Sequence, residues 1–104
     1  MKTIAFKMRV RKGSEAEYKK RHDEIWPELK HLLKSNGVSE YHIFLDETSN
    51  DLFAVLTIIN AETFNNLPAG SIMQKWWLYM RDIMDSNPDN SPVSIPLKEV
   101  FYLP

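Results

Sequence analysis

The order of patterned segments in this 104-residue chain predicts an α+β fold, the ferredoxin-like split βαβ arrangement. Three observations carry that prediction. The first is "TIAFKMRV", whose apolar residues alternate with polar ones as in a half-buried strand. The second is a pair of helical stripes, one starting after "KGSEAE" and one spanning 71–84, set among strand-like runs in the order β-α-β-β-α-β. The third is "LFAVLTII" (52–59), apolar on both parities and so a strand covered on both faces.

In the opening strand Ile4, Phe6, Met8 and Val10 share one face. Ser14 and Glu17 then have the spacing of a capping box, which predicts a helix start. Positions 18, 22, 25, 29, 32 and 33 form its inward stripe. Pro27 has no N–H to offer the carbonyl of Asp23, so a kink is expected there, and Gly37 closes the helix. "SEYHIFLDE" (39–47) reads as a second strand, with turn chemistry in "TSND". Asn60 is placed to cap a short helix ended by "LPAG". In the helix over 71–84, Ile72, Trp76, Tyr79, Met80 and Ile83 lie at helical spacing. "DSNPDNSPVSIP" (85–96), broken by Pro88, Pro92 and Pro96, reads as a long loop of the kind that is functional or packed on a neighbour. "LKEVFYL" (97–103) is expected as the closing strand.

Helices of a split βαβ fold cover one sheet face, so the two-sided strand at 52–59 needs another cover. A second copy packed sheet to sheet meets that need, and a homodimer is expected. Residues 1–104 are read as a single domain, large enough to bury about two-thirds of its unfolded surface.

The apolar share of 43% and charged share of 26% fit an ordinary globule. The absence of cysteine excludes disulfides, thiolate metal sites and cysteine nucleophiles. No apolar run approaches the length of a membrane helix and no signal-peptide core is visible, so a cytoplasmic protein without membrane attachment is expected. Residues 1–21 hold eight Lys/Arg against two Glu, but the cations alternate along the strand or ride the outer side of the helix, which predicts solvated faces and no nucleic-acid partner.

Tyr18, His22 and Trp26 stand four residues apart, on one helical face. Two readings of His22 follow: a core histidine satisfied by a backbone carbonyl, or an imidazole presented to a ligand. A core built only for stability seldom gathers phenol, imidazole and indole on adjacent turns, because each polar atom needs a partner. Trp76 and Trp77 point about 100° apart, so one can pack while the other lines a groove. Tyr41 shares its strand face with Ile43 and Leu45. Together these residues could form flat apolar walls with a few polar tips, a form suited to a sugar. Three glycines leave no phosphate cradle, and His22, His31 and His42 are not spaced for a metal, so neither cofactor nor metal is expected. No nucleophile motif is present, and proton transfer by one histidine is the chemistry that remains.

The stretches "YKKRHDEIWPEL", "YHIFLD", "KWWLYM" and "NPDNSPVSIPLKEVFYLP" make the chain resemble the L-rhamnose mutarotase family over almost its whole length. The resemblance implies a homodimeric α+β barrel, an isomerase that interconverts the α and β anomers of L-rhamnose in L-rhamnose metabolism. It also implies that His22 is the proton donor and that Tyr18, Tyr41, Trp76 and Trp77 contact the sugar. Two rival readings share the architecture: a non-catalytic dimeric binding or stress-response domain, and a cofactor-dependent monooxygenase-like protein.

Overall fold

The computed structural model describes residues 1–67 and 70–104. Its elements are β1 (Lys2–Arg9), α1 (Glu15–Asp23), α2 (Pro27–Ser35), β2 (Val38–Leu45), β3 (Asp51–Ile58), α3 (Ala61–Asn65), α4 (Ser71–Met80) and β4 (Ile95–Leu97). The sheet order is β2-β3-β1-β4 with every neighbouring pair antiparallel, the split βαβ arrangement that the sequence predicts. Of "LPAG", Pro68 and Ala69 lie outside the described residues.

Register decides what faces the helices. Phe6 pairs with Ala54 and Met8 with Leu52, while Tyr41, Ile43 and Leu45 pair with Leu56, Ala54 and Leu52. Residues directly opposite share a face, so these side chains form one surface. Leu52, Ala54, Leu56 and Ile58 are buried on it beneath Tyr18, Leu29, Trp76 and Met80 of the helices. Along β3 burial alternates strictly, and Phe53, Val55 and Thr57 on the other face stay half-exposed. Among the described residues, nothing supplies the full second cover that both parities call for.

The first helix is two helices, not one kinked rod. Pro27 disfavours helical geometry in the residue before it, and Trp26 takes φ −59°, ψ 133°. Pro27 then opens α2 at its first turn, where a missing N–H costs nothing. The expected capping box does not form: Ser14 stands at the N-cap but its hydroxyl caps nothing. Instead the Glu15 carboxylate accepts from the Gly13 N–H at 3.0 and 3.1 Å, and Glu17 pairs with Arg21 at 2.8 Å. Gly37, at φ 91°, does end α2, and Asn60 does cap α3 by accepting from the Glu62 and Thr63 N–H groups.

The helix expected over 71–84 stops at Met80. Beyond it the backbone is drawn to the sheet edge: Met84 bridges to Val10, the Asp85 N–H donates to the Arg9 carbonyl, and the Arg11 N–H donates to the Ile83 carbonyl. Residues 85–94 are more ordered than a bare loop, with a Ser86–Pro92 bridge and Asn90 turned to φ 73°. The closing strand is β4, earlier and shorter than 97–103, and residues 98–104 have neither helix nor strand.

A buried polar link escaped the sequence reading. Asn50, at φ 63° in the β2–β3 turn, is 9% exposed. Its amide donates to the Val10 carbonyl at 3.3 Å and to Glu15 at 2.6 Å, tying the turn to the start of α1.

Candidate active site

α1 and α4 bring their aromatic residues together over the inner face of the sheet. Tyr18, one turn before His22, stacks on the imidazole with ring centroids 4.3 Å apart and planes inclined by 28°. Trp76 of α4 meets the imidazole edge-on at 5.4 Å. Trp26, held by the break before Pro27, meets Trp76 edge-on at 5.0 Å. Tyr18 and Trp76 are buried, while His22, Trp26 and Trp77 are half-buried.

The hydrogen bonding of His22 is asymmetric. Its Nδ1 lies 3.0 Å from the Tyr18 carbonyl oxygen. A carbonyl only accepts, so Nδ1 carries the proton and, in the neutral ring, Nε2 is left with a lone pair. Among the described residues no fully buried side-chain nitrogen or oxygen lacks a partner, and Nε2 has no protein partner, so it is open to the cleft. Both earlier readings of His22 thus hold part of the truth: a backbone carbonyl satisfies one nitrogen, and the other is available. Burial lowers the imidazole pKa below its usual 6.5, against the opposing pull of the Tyr18 carbonyl and the Asp23 charge.

Tyr41 reaches the same space from β2. The residue is 38% exposed as a whole, but its hydroxyl end sits among protein atoms, which pushes the phenol pKa up to about 12. Burial, and next the nearby Tyr41 phenol, raise that of Tyr18 as well. Both phenols therefore stay protonated at neutral pH and can donate.

The cleft has a volume of about 1610 Å³, and Tyr18, His22, Tyr41, Trp76 and Trp77 all line it. That exceeds the roughly 300–1,000 Å³ usual for a small-molecule pocket, so a small ligand fills only part of it. All five predicted site residues meet at one cleft. Of the Trp76–Trp77 pair, Trp76 is the one packed into the core, yet it also touches His22. Tyr79, at helical spacing with Trp76 and Met80, is 42% exposed under the Arg21 guanidinium, 4.5 Å from its ring centroid. The polar lining that sequence reasoning missed includes Lys19 and Asp23 from α1, Gln74 from α4, and Ser86, Asn87 and Asn90 from the loop. The loop's signal was the density of Ser and Asn in 85–96, a loop read from the sequence as functional or packed on a neighbour.

Arg21 also departs from expectation. Rather than riding a solvated face, its side chain is 11% exposed and binds Glu17, Asp82 and the Tyr79 carbonyl. Among the described residues no group of three or more His, Asp or Glu is placed to hold a metal ion, and no helix is long and apolar enough to cross a membrane.

Comparison with known proteins agrees over the full length. The family model for L-rhamnose mutarotase matches residues 3–103. Proteins of that name from Formosa agariphila and Bacteroides thetaiotaomicron are each 56% identical over 103 residues, covering 99% of both chains. The crystal structure of the Formosa agariphila L-rhamnose mutarotase superposes with a TM-score of 0.93 at 55% identity, covering all of both chains. An antibiotic biosynthesis monooxygenase superposes at a TM-score of 0.51 with 8% identity, a likeness of fold alone.

Proposed function

The chain belongs to the L-rhamnose mutarotase family, and on that premise we propose that the cleft beside His22 is where the sugar binds and its ring opens. The enzyme is an isomerase that interconverts the α and β anomers of L-rhamnose. The observation that carries the site assignment is the single imidazole with Nδ1 tied to the Tyr18 carbonyl and Nε2 open to the cleft.

The chemistry is proton traffic. In the proposed sequence, Nε2 of the neutral ring accepts the proton of the anomeric hydroxyl. The bond from C1 to the ring oxygen breaks as the C1 carbonyl forms, and the imidazolium gives its proton to the departing ring oxygen. Both oxygens are bonded to C1, so one nitrogen can serve each in turn. The open aldehyde turns about C1–C2 and closes on its other face by the same steps reversed. His22 is thus base first and proton donor second. Tyr18 and Tyr41 donate hydrogen bonds to sugar oxygens, and Trp76 and Trp77 give its C–H faces a flat apolar wall. A positioned acid–base group is worth about 10²–10⁴-fold, enough for a reaction that water already permits.

The reading includes residues 1–104 as one domain, a cytoplasmic setting and a homodimer. The half-exposed outer face of β3 and the exposed Phe44 and Ile95 favour the dimer. Polarimetry on freshly dissolved L-rhamnose tests the site. The intact enzyme is expected to hasten the approach to equilibrium, and His22→Ala to return the rate to that of buffer with the far-ultraviolet circular dichroism unchanged. An active His22→Ala protein removes His22 from the mechanism.

A further inference from the structure

The cleft runs on well past the imidazole. Ile4, Phe6, Met8 and Val10, on one face of β1 and just beyond its end, all line it, which is about 20 Å of strand. One pyranose ring held at His22 occupies a fraction of that length, as it does of the 1610 Å³.

The loop after α4 stands at one end. α1 runs back from His22 to Glu15, about 10 Å along its axis. There Asn50 bonds both Glu15 and the Val10 carbonyl, and Val10 bridges to Met84, two residues before Ser86. The loop is held in shape by its own backbone: the Asn87 N–H donates to the Ser91 carbonyl at 2.7 Å and the Asn90 N–H to the Asn87 carbonyl at 2.9 Å. Two of its side chains that line the cleft have hydrogen-bonding capacity to spare. The Asn87 amide donates to the Ser91 hydroxyl at 3.0 Å, and the Asn90 amide oxygen accepts from Arg81 at 3.2 Å. Asn87 Oδ1 and Asn90 Nδ2 have no partner among the described residues. An acceptor and a donor in one short loop suit the hydroxyls of a sugar.

We infer that the cleft takes L-rhamnose at the reducing end of a disaccharide, with the second, neutral ring on Asn87 and Asn90. This rests on the reading that the sugar opens beside His22, and adds the class of substrate. The reaction leaves room for such a guest. Opening breaks the bond from C1 to O5, and the aldehyde turns about C1–C2, so C3, C4 and whatever they carry stay in place. O4 lies across the ring from C1, so a glycosyl group there points away from the imidazole. A loop already in shape loses little freedom when the second ring settles on it. Charge favours a neutral ring over an anionic one. Among the described residues Lys19 is the one Lys or Arg of the lining, and it is paired with Asp23 at 2.9 Å, while Asp89 lies in the loop itself.

Saturation-transfer NMR decides it, on L-rhamnose and on L-rhamnose carrying a glucosyl group at O4. The intact enzyme should hasten anomer exchange in both. Asn87→Ala removes the acceptor. Asn90→Asp removes the donor while keeping the oxygen that binds Arg81 and a side chain suited to φ 73°. Each should lower kcat/KM at least about fivefold more for the disaccharide than for L-rhamnose, the loss of one hydrogen bond. A disaccharide whose anomers exchange only at the rate of buffer, while L-rhamnose is hastened, overturns the inference and leaves the mutarotase reading intact. Variants that slow both sugars alike, or neither, overturn the placing of the second ring on the loop. An intact enzyme that hastens neither sugar defeats the earlier reading, and this one with it.

Discussion

One hydrogen bond, from Nδ1 of His22 to the carbonyl of the residue one turn earlier, sets what the imidazole can do. It selects the tautomer and leaves the basic nitrogen outward. His22→Asn keeps a donor for that carbonyl and loses the base, so anomer exchange should fall about 10²–10⁴-fold while melting shifts little. Nitrogen-15 spectra of the neutral enzyme should show the Nδ1–H tautomer. The pKa also links to stability. The folded ring binds protons less readily than the unfolded one, so stability contributed by His22 is full above pH 6.5 and lost as pH falls from there through the lowered folded value. Sequence spacing could gather Tyr18, His22 and Trp26, because a step of four is a property of any helix. It could not predict the tautomer, which depends on where Nδ1 points, nor Tyr79 under Arg21, which depends on the turn after α4.

At the level of elements, two ties position the site. Arg21 of α1 grips the far end of α4 through Asp82 and the Tyr79 carbonyl, holding Tyr79 near Trp26 and Trp76. Arg21→Met should cost about 2 kcal/mol in denaturant unfolding and lower turnover several-fold by loosening that wall. Asn50 is the second tie. Asn50→Ala should cost about 2–3 kcal/mol, through the lost bonds to Val10 and Glu15 and a side chain strained at φ 63°. Asn50→Gly should cost less, since glycine tolerates that φ. The backbone N–H of Glu15 itself, then the Gly13 N–H and the Asn50 amide, hold the Glu15 carboxyl below its usual range, so this tie persists above pH 4.5 and weakens as pH falls towards the depressed folded value. Strand alternation, Gly37 and the Asn60 cap were legible because each acts over a few residues. The break at Trp26, the failed capping box and the early end of α4 were not. The last follows from a distant partner, Val10 for Met84, whereas the first two are local contests that spacing alone does not decide, Pro27 acting on Trp26 and the Glu15 carboxylate taking the Gly13 N–H.

For the molecule as a whole, one face of the sheet builds the cleft and the other carries apolar residues that stay partly exposed. The chain order told the topology, and the two-sided apolar run at 52–59 predicts burial on both parities, whereas within the chain only one parity is fully buried. What the pattern misjudged is the closing segment: "LKEVFYL" has the composition of a strand, yet only Leu97 of it pairs within the chain. Strand-like composition does not fix whether such a segment finds a pairing edge within the chain. The most direct test of the account is the rate of anomer exchange in L-rhamnose, followed by saturation-transfer NMR as pH is lowered. A neutral imidazole acting as the base predicts a rate constant through neutrality that falls with a single inflection below pH 6.5, and no inflection in His22→Asn. A rate that rises as the imidazole becomes protonated, or one that His22→Asn preserves, contradicts it.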